Sequence, residues 1–266
     1  MGSLGGNSIH AATAAFVNGV TPRIVARQGD DFPADALDAM RAAGITTEYL
    51  IPITGPTVRN WVIYEWNGNR TWVYRTPKER SAQVAPMPQD IPESAMMGID
   101  VVHVAAMPLP NASALVKHLR ANAPQVRIVL DTHEDWVDGY QADLLNLASQ
   151  VDYFLPSKEE LVIVMSCSDL DTALVEVAKQ PIKNIVVKAG NQGAFYIHDD
   201  GMDHIPAQEA NVKDTTGAGD VFCGAFAAGI ALGKSTLESV MMGVKTAATA
   251  IENSGSLRLI DTQHNS

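Results

Sequence analysis

Residues 213–233 read KDTTGAGDVFCGAFAAGIALG. Gly217, Ala218 and Gly219 are small and conformationally permissive, and they precede an apolar stretch expected to be helical from near Val221. Such a helix start leaves backbone N–H groups unpaired at the positive end of the helix dipole, which suits a phosphate. Asp220 stands at the same end. Its carboxylate, ionised at neutral pH, can take the proton from an attacking hydroxyl. Phosphoryl transfer depends on in-line positioning and on fixed donors for the charge on the moving oxygens. One short loop offers both. A strand-to-helix turn capped by Asp220 would explain a generic Gly-x-Gly-Asp, but it leaves the full string DTTGAGD unaccounted for.

A second glycine-rich stretch lies close by. Gly229 to Ser235 (GIALGKS) resembles a nucleotide-binding P-loop but is one residue short of that spacing. Ser235 and Glu238 are better read as a capping box that opens the next helix, with Gly233 ending the previous one.

The elements that must position these residues follow a regular rhythm. Strands are expected at Arg23–Ala26, Val101–Val104, Ile128–Leu130, Tyr153–Leu155 and Ile185–Lys188. Helices alternate with them at Ser8–Asn18, Asp35–Ala43, Ala112–Ala121, Gln141–Ala148, Lys158–Met165 and Thr172–Lys179. Gly44 fits a helix C-terminus, and Asn111 and Asp171 fit N-caps. The alternation predicts a doubly wound α/β fold: a mostly parallel sheet with helices on both faces. One segment breaks the rhythm. Residues Thr57–Arg75 read as two strands around a turn at Asn67-Gly68, and hold three of the four tryptophans, Trp61, Trp66 and Trp72. Such a hairpin must pack on something. It could cover a cleft, join a second subunit, or form a simple edge.

The 266 residues, 46% of them hydrophobic, suffice for one large domain spanning 1–266. A net charge of -11 argues against sequence-independent nucleic-acid binding and against docking on anionic membranes, leaving a small diffusing substrate as the simpler partner. Cys167 and Cys223 are the only cysteines; they make no disulfide framework and fit a reducing cytoplasm. The start, MGSLGGNSIHAA, lacks the pattern of a secretion signal.

The string DTTGAGD resembles the second signature of the ribokinase-like (PfkB) carbohydrate kinases, and Gly5-Gly6-Asn7-Ser8-Ile9-His10-Ala11-Ala12 is similar to their first. The similarity runs across nearly the whole chain, with a lid hairpin at about 52–78. It implies that Asp220 is the general base and that Gly217, Ala218 and Gly219 form the anion hole. It places a monovalent cation, K⁺-like, on Asp214, the Thr216 carbonyl and the segment around Gly255. Lys188, Gly190 and Gly193 correspond to the nucleotide-contact loop, with Thr215 also on the nucleotide side. Ser157 and Glu160 occupy the positions of an Asn-x-x-Glu motif that organises Mg²⁺ and phosphate. Gly5, Gly6 and His10 fall on the substrate side, and Arg75 in the lid, or Arg59, stands where an acid sugar's carboxylate would be met. The family's lids often pair into homodimers.

Several positions depart from that pattern. The family begins with a strand that this chain, starting at Gly5-Gly6, is expected to lack. His10 replaces an Asn, which implies either an altered acceptor or a solvent-facing histidine. Ser157 replaces an Asn and is alternatively a helix cap. His133, Glu134 and Asp135 lack metal-ligand spacing and read as a surface loop. The expectation is therefore an ATP- and Mg²⁺-dependent kinase acting on a primary hydroxyl of a small sugar, sugar acid or nucleoside. The rivals are an impaired relative that binds nucleotide without efficient turnover, or a kinase of a non-sugar alcohol such as a vitamin precursor.

Overall fold

A computed structural model describes residues 4–64, 70–77, 79–133 and 137–263. The first part of the chain runs α1 (Asn7–Val17), β1 (Ala26–Gly29), α2 (Ala34–Ala42), β2 (Leu50–Ile53), β3 (Asn60–Tyr64), β4 (Arg70–Tyr74), α3 (Arg80–Val84) and α4 (Glu93–Met96). Then come β5 (Val101–Val104), α5 (Leu109–Asn122), β6 (Arg127–Asp131), α6 (Gln141–Ala148), β7 (Tyr153–Leu155), α7 (Lys158–Val164), α8 (Leu170–Val177) and β8 (Ile185–Lys188). The chain ends with β9 (Ala194–His198), β10 (Gly201–Ile205), α9 (Ala218–Ala231), α10 (Thr236–Ala250) and α11 (Arg258–Gln263).

Six strands form one sheet in the order β10-β9-β8-β7-β6-β5. Alternation along its strands explains the two layers of helices. Ile128 and Leu130 pack with Ile185 and Val187 under α5, α6, α7 and α8, while Val129 and Val186 turn to the opposite face against Phe222 and Phe226 of α9. Side chains of neighbouring strand residues point to opposite faces, so an unbroken apolar run serves both layers.

The parallel expectation holds from β5 to β8, but β9 and β10 are antiparallel additions. β10 is exposed along four of its five residues and β9 is only partly buried, so neither carries the apolar run that marks a buried strand. The strand expected at Arg23–Ala26 is shifted: ladder pairing covers Ala26–Gly29 against β2, with Arg23 making only an isolated bridge to Thr46. Two expected caps also move. Pro108 and Pro110 start α5 earlier, so Asn111 lies inside the helix and its amide reaches the Ala82 carbonyl at 3.3 Å. Asp169, not Asp171, caps α8, accepting from the Thr172 N–H at 2.9 Å. Gly44 does follow α2 with φ 80.

β1 and β2 form a separate parallel pair, and β3 and β4 an antiparallel hairpin. The hairpin turn at Asn67-Gly68 lies outside the described residues, as do Glu134 and Asp135. Trp61 and Ile63 on β3 are half exposed, and the Arg75 guanidinium stacks over the Trp61 ring at 4.0 Å. Among the described residues, the outer edges of β1 and β5 pair with no further strand. Val101 and Val102 on β5 are accordingly only partly buried. No described helix is long and apolar enough to cross a membrane.

Candidate active site

The site is built where strand ends meet the start of α9. Gly217 caps that helix in the left-handed region (φ 73), so α9 begins at Ala218 rather than near Val221. Gly219 and Asp220 therefore belong to its first turn, where N–H groups lack intrahelical acceptors. The Ala218 N–H itself turns back to the Thr215 carbonyl at 3.2 Å. Below this turn α9 is buried from Val221 to Phe226, which fixes the helix while Gly217 to Asp220 line the cavity.

α1 is the opposite wall. Gly6 caps it with φ 102, and His10 is buried rather than solvent-facing. Its imidazole lies against Gly217, close enough that a Cβ there would stand 2.6 Å away. Burial lowers the His10 pKa, and the nearby Asp214 carboxylate opposes this. Gly224 on α9 meets the Ala11 backbone so closely that no side chain fits. This contact explains how two segments more than 200 residues apart come to share one cleft.

The expected cation residues are also drawn together. Asp214 Oδ1 accepts from the Thr216 N–H at 2.9 Å, and the Lys213 and Asp214 N–H groups both donate to the Ile251 carbonyl. That ties the Asp214 loop to the turn that carries Gly255 (φ 94). On the nucleotide side, Gly190 to Gly193 form a closed loop after β8, with the Ala189 N–H on the Gly193 carbonyl at 2.8 Å. Gly193 is required by packing, since a Cβ would meet the Ala207 nitrogen at 2.6 Å.

Ser157 and Glu160 make a reciprocal capping box on α7: the Ser157 N–H donates to Glu160 Oε2 at 2.7 Å, and the Glu160 N–H to Ser157 Oγ at 3.2 Å. The cap reading of Ser157 and its place in the cleft are thus compatible. Burial raises the Glu160 pKa to about 7; the Lys188 ammonium works against that shift and the Asp131 carboxylate adds to it.

Three residues were not anticipated as part of the site: His103, Asp131 and Cys223. They lie within a ligating atom's 4.8 Å of one another, and the Lys188 ammonium stands among them, 2.5 Å from Asp131 Oδ1 and 3.5 Å from Cys223 Sγ. A cation therefore already occupies that cluster. His103 and Asp131 sit at or near the carboxyl ends of parallel strands, the edge where open α/β sheets place their ligands, and that rule could have flagged them.

Every residue expected in the site lines one cavity of 3270 Å³, from Gly5, Gly6 and His10 through Arg75, Ser157, Glu160 and Lys188 to the Asp214–Asp220 loop and Gly255. That volume exceeds the roughly 300–1,000 Å³ of a ligand pocket because the cleft is continuous with the space between β1 and β5. Of the lid arginines, Arg59 is paired with Asp31 at 2.8 Å and Arg75 covers Trp61.

Residues 3–263 match the family described as pfkB family carbohydrate kinase. The chain belongs to that family. As a member it is a phosphotransferase of the kinase class, and the expected ribokinase-like fold is the one observed. A cytidine kinase of Thermococcus kodakarensis is 24% identical over 258 residues, covering 94% of this chain and 88% of that protein. The E. coli protein described as a ribokinase II, in complex with ATP and Mg²⁺, superposes with a TM-score of 0.77 at 20% identity, covering 99% of this chain and 89% of that one. The nucleoside kinase of Burkholderia thailandensis in complex with inosine gives 0.78 at 21% identity, covering 97% and 84%.

Proposed function

We propose that this kinase transfers the γ-phosphoryl group of ATP to a primary hydroxyl of a small sugar, sugar acid or nucleoside, with Asp220 as general base. The observation that carries the reading is the position of Asp220 in the first turn of α9, on the cavity that His10, Glu160 and the Gly190–Gly193 loop also line. The acceptor hydroxyl gives its proton to the Asp220 carboxylate as its oxygen attacks the γ-phosphorus. The bond from that phosphorus to the β,γ-bridging oxygen breaks, and ADP leaves. Charge gathering on the transferred oxygens meets the amino end of α9 and the backbone of Gly217 to Gly219.

Glu160 lines this cavity with a carboxylate, the kind of hard oxygen donor that a divalent cation such as Mg²⁺ takes. When bound, Mg²⁺ neutralises phosphate charge. Glu160 would organise it, and the shared contacts of Asp214 and the Ile251–Gly255 turn would hold K⁺ with the Thr216 carbonyl. Gly5, Gly6 and His10 would face the acceptor, and Thr215 with Gly190 and Gly193 the nucleotide side, with the Lys188 side chain buried beneath them on Asp131. Exposed Trp61 and Ile63 support pairing of two lids in a homodimer, and two free thiols support a reducing, cytoplasmic setting.

A phosphotransfer screen over sugars, sugar acids and nucleosides tests the reading, with Asp220→Asn as the control. Turnover of one acceptor class that drops by at least about 100-fold in the variant is the expected result. Full activity in Asp220→Asn would sink the mechanism.

A further inference from the structure

Lys188 closes β8 at the carboxyl edge of the sheet, and its own backbone is pinned there, its N–H donating to the Pro156 carbonyl at 2.9 Å. The side chain turns inward. Its Nζ lies 2.5 Å from Asp131 Oδ1 at the end of β6 and 3.5 Å from Cys223 Sγ on α9. A Cβ on Gly219 would stand 3.7 Å from the same nitrogen. The Lys188 and Asp131 side chains are only 12% and 3% exposed. Three elements that define the phosphoryl-transfer site thus converge on one dehydrated ammonium.

A buried ion pair is costly, and well-packed apolar side chains of equal volume usually serve stability as well or better. Cys223, which the Lys188 ammonium meets, belongs to a buried apolar cluster with Val129, Leu155 and Phe222. Retention of the ion pair calls for a use. Burial pulls the Lys188 ammonium toward the neutral form, but the Asp131 carboxylate above all outweighs this and holds it charged. The fixed charge adjoins the first turn of α9, so it adds to the helix's positive end. A cation already in place in a dry setting needs no reorganisation when charge moves onto the transferring oxygens.

We propose that Lys188 is a positioning residue that sets the positive potential beneath the anion hole, acting through the first turn of α9, with Asp131 as its holder. This differs from a role as a contact to the nucleotide, and it rests on reading the α9 amino end as the phosphoryl-transfer site. Asp131 is itself steadied by its neighbour, Oδ1 accepting from the Thr132 N–H at 2.9 Å.

The test compares wild type with Lys188→Met/Asp131→Asn, which neutralises both partners and keeps their shapes, and with Lys188→Arg. Steady-state kinetics give kcat and the KM for ATP. A separate readout, the rise in melting temperature on adding inorganic phosphate, does not depend on turnover. The neutral pair is expected to lose roughly 10- to 100-fold in kcat. Its KM for ATP changes by less than about threefold, because no binding contact is removed. The phosphate-induced rise should shrink, and Lys188→Arg should recover most of both. An unchanged kcat, or a raised KM with kcat intact, overturns the proposal. If the neutral pair does not fold, Lys188→Gln is judged by the same two readouts. Wild type that transfers no phosphate to any acceptor overturns the reading of the site instead; equal phosphate-induced rises in wild type and variant then overturn the role of Lys188.

Discussion

The His10 imidazole and the backbone of Gly217 are in contact: a Cβ carried by Gly217 would lie 2.6 Å from the ring. The amino end of α9 is thereby wedged against α1. Gly217→Ala is expected to fail twice, since the left-handed φ of 73 costs a residue with a side chain about 1–2 kcal/mol and the ring must also move. Displacing the loop should cut kcat by about 100-fold. Adding His10→Ala should restore the steric part of the melting temperature but not the backbone part. A double variant no more stable than Gly217→Ala would show that the contact is not strained.

Two buried groups pull stability in opposite directions with pH. His103 is depressed from 6.5 to about 4, mainly by burial, so its contribution is present above 6.5 and lost as pH falls through 4. Glu160 is raised from 4.5 to about 7, mainly by burial, so its contribution is present below 4.5 and lost as pH rises through 7. Each is worth on the order of 3 kcal/mol, and the two slopes largely cancel. Relative to wild type, His103→Asn should lose stability as pH rises across this window, and Glu160→Gln should gain it. Urea midpoints measured from pH 4 to 7 would reveal the slopes; parallel curves for all three proteins would refute them.

The Gly229–Ser235 stretch should prove structural. Ser235 and Glu238 form a capping box, with the Glu238 N–H on Ser235 Oγ at 3.2 Å, and Gly233 follows α9 with φ 75. Ser235→Ala is expected to cost about 1 kcal/mol of stability. Lys234→Ala should leave the KM for ATP unchanged. A marked rise in that KM would make the stretch a nucleotide loop after all.

The lid predicts concentration-dependent association. Trp61 is 58% exposed and Ile63 50% exposed on a two-stranded hairpin, more apolar surface than such a ribbon keeps in water without a partner. Sedimentation should report a dimer that Trp61→Ser/Ile63→Ser dissociates. A wild-type monomer at every concentration would leave covering the cleft or forming a simple edge as the hairpin's role.

The edges of β1 and β5, which pair with no further strand among the described residues, predict that an apolar strand peptide added in solution raises the melting temperature. Val101, Val102 and His103 would become fully buried, and the backbone groups of both edges would find partners. No change in melting temperature would mean that the edges do not accept a strand.

Much of this was legible in the chain itself. The DTTGAGD string, the Ser235–Glu238 box and the strands from β5 to β8 depend on neighbouring residues: small residues before an apolar helix, a hydroxyl three residues before a carboxylate, and β-branched runs between turns. Local sterics and hydrogen bonding decide such features, so sequence alone sufficed for the family and for proposing a role for Asp220. What packs on that loop was decided by tertiary structure. His103, Asp131 and Cys223 lie on three separate elements, and only the sheet's order and the seating of α9 bring them around Lys188. His10 looked equally able to face solvent until Gly224 let α1 press onto α9 and bury it. Contacts between segments distant in the chain carry no local spacing to read, because burial and electrostatics act through space and not along the sequence.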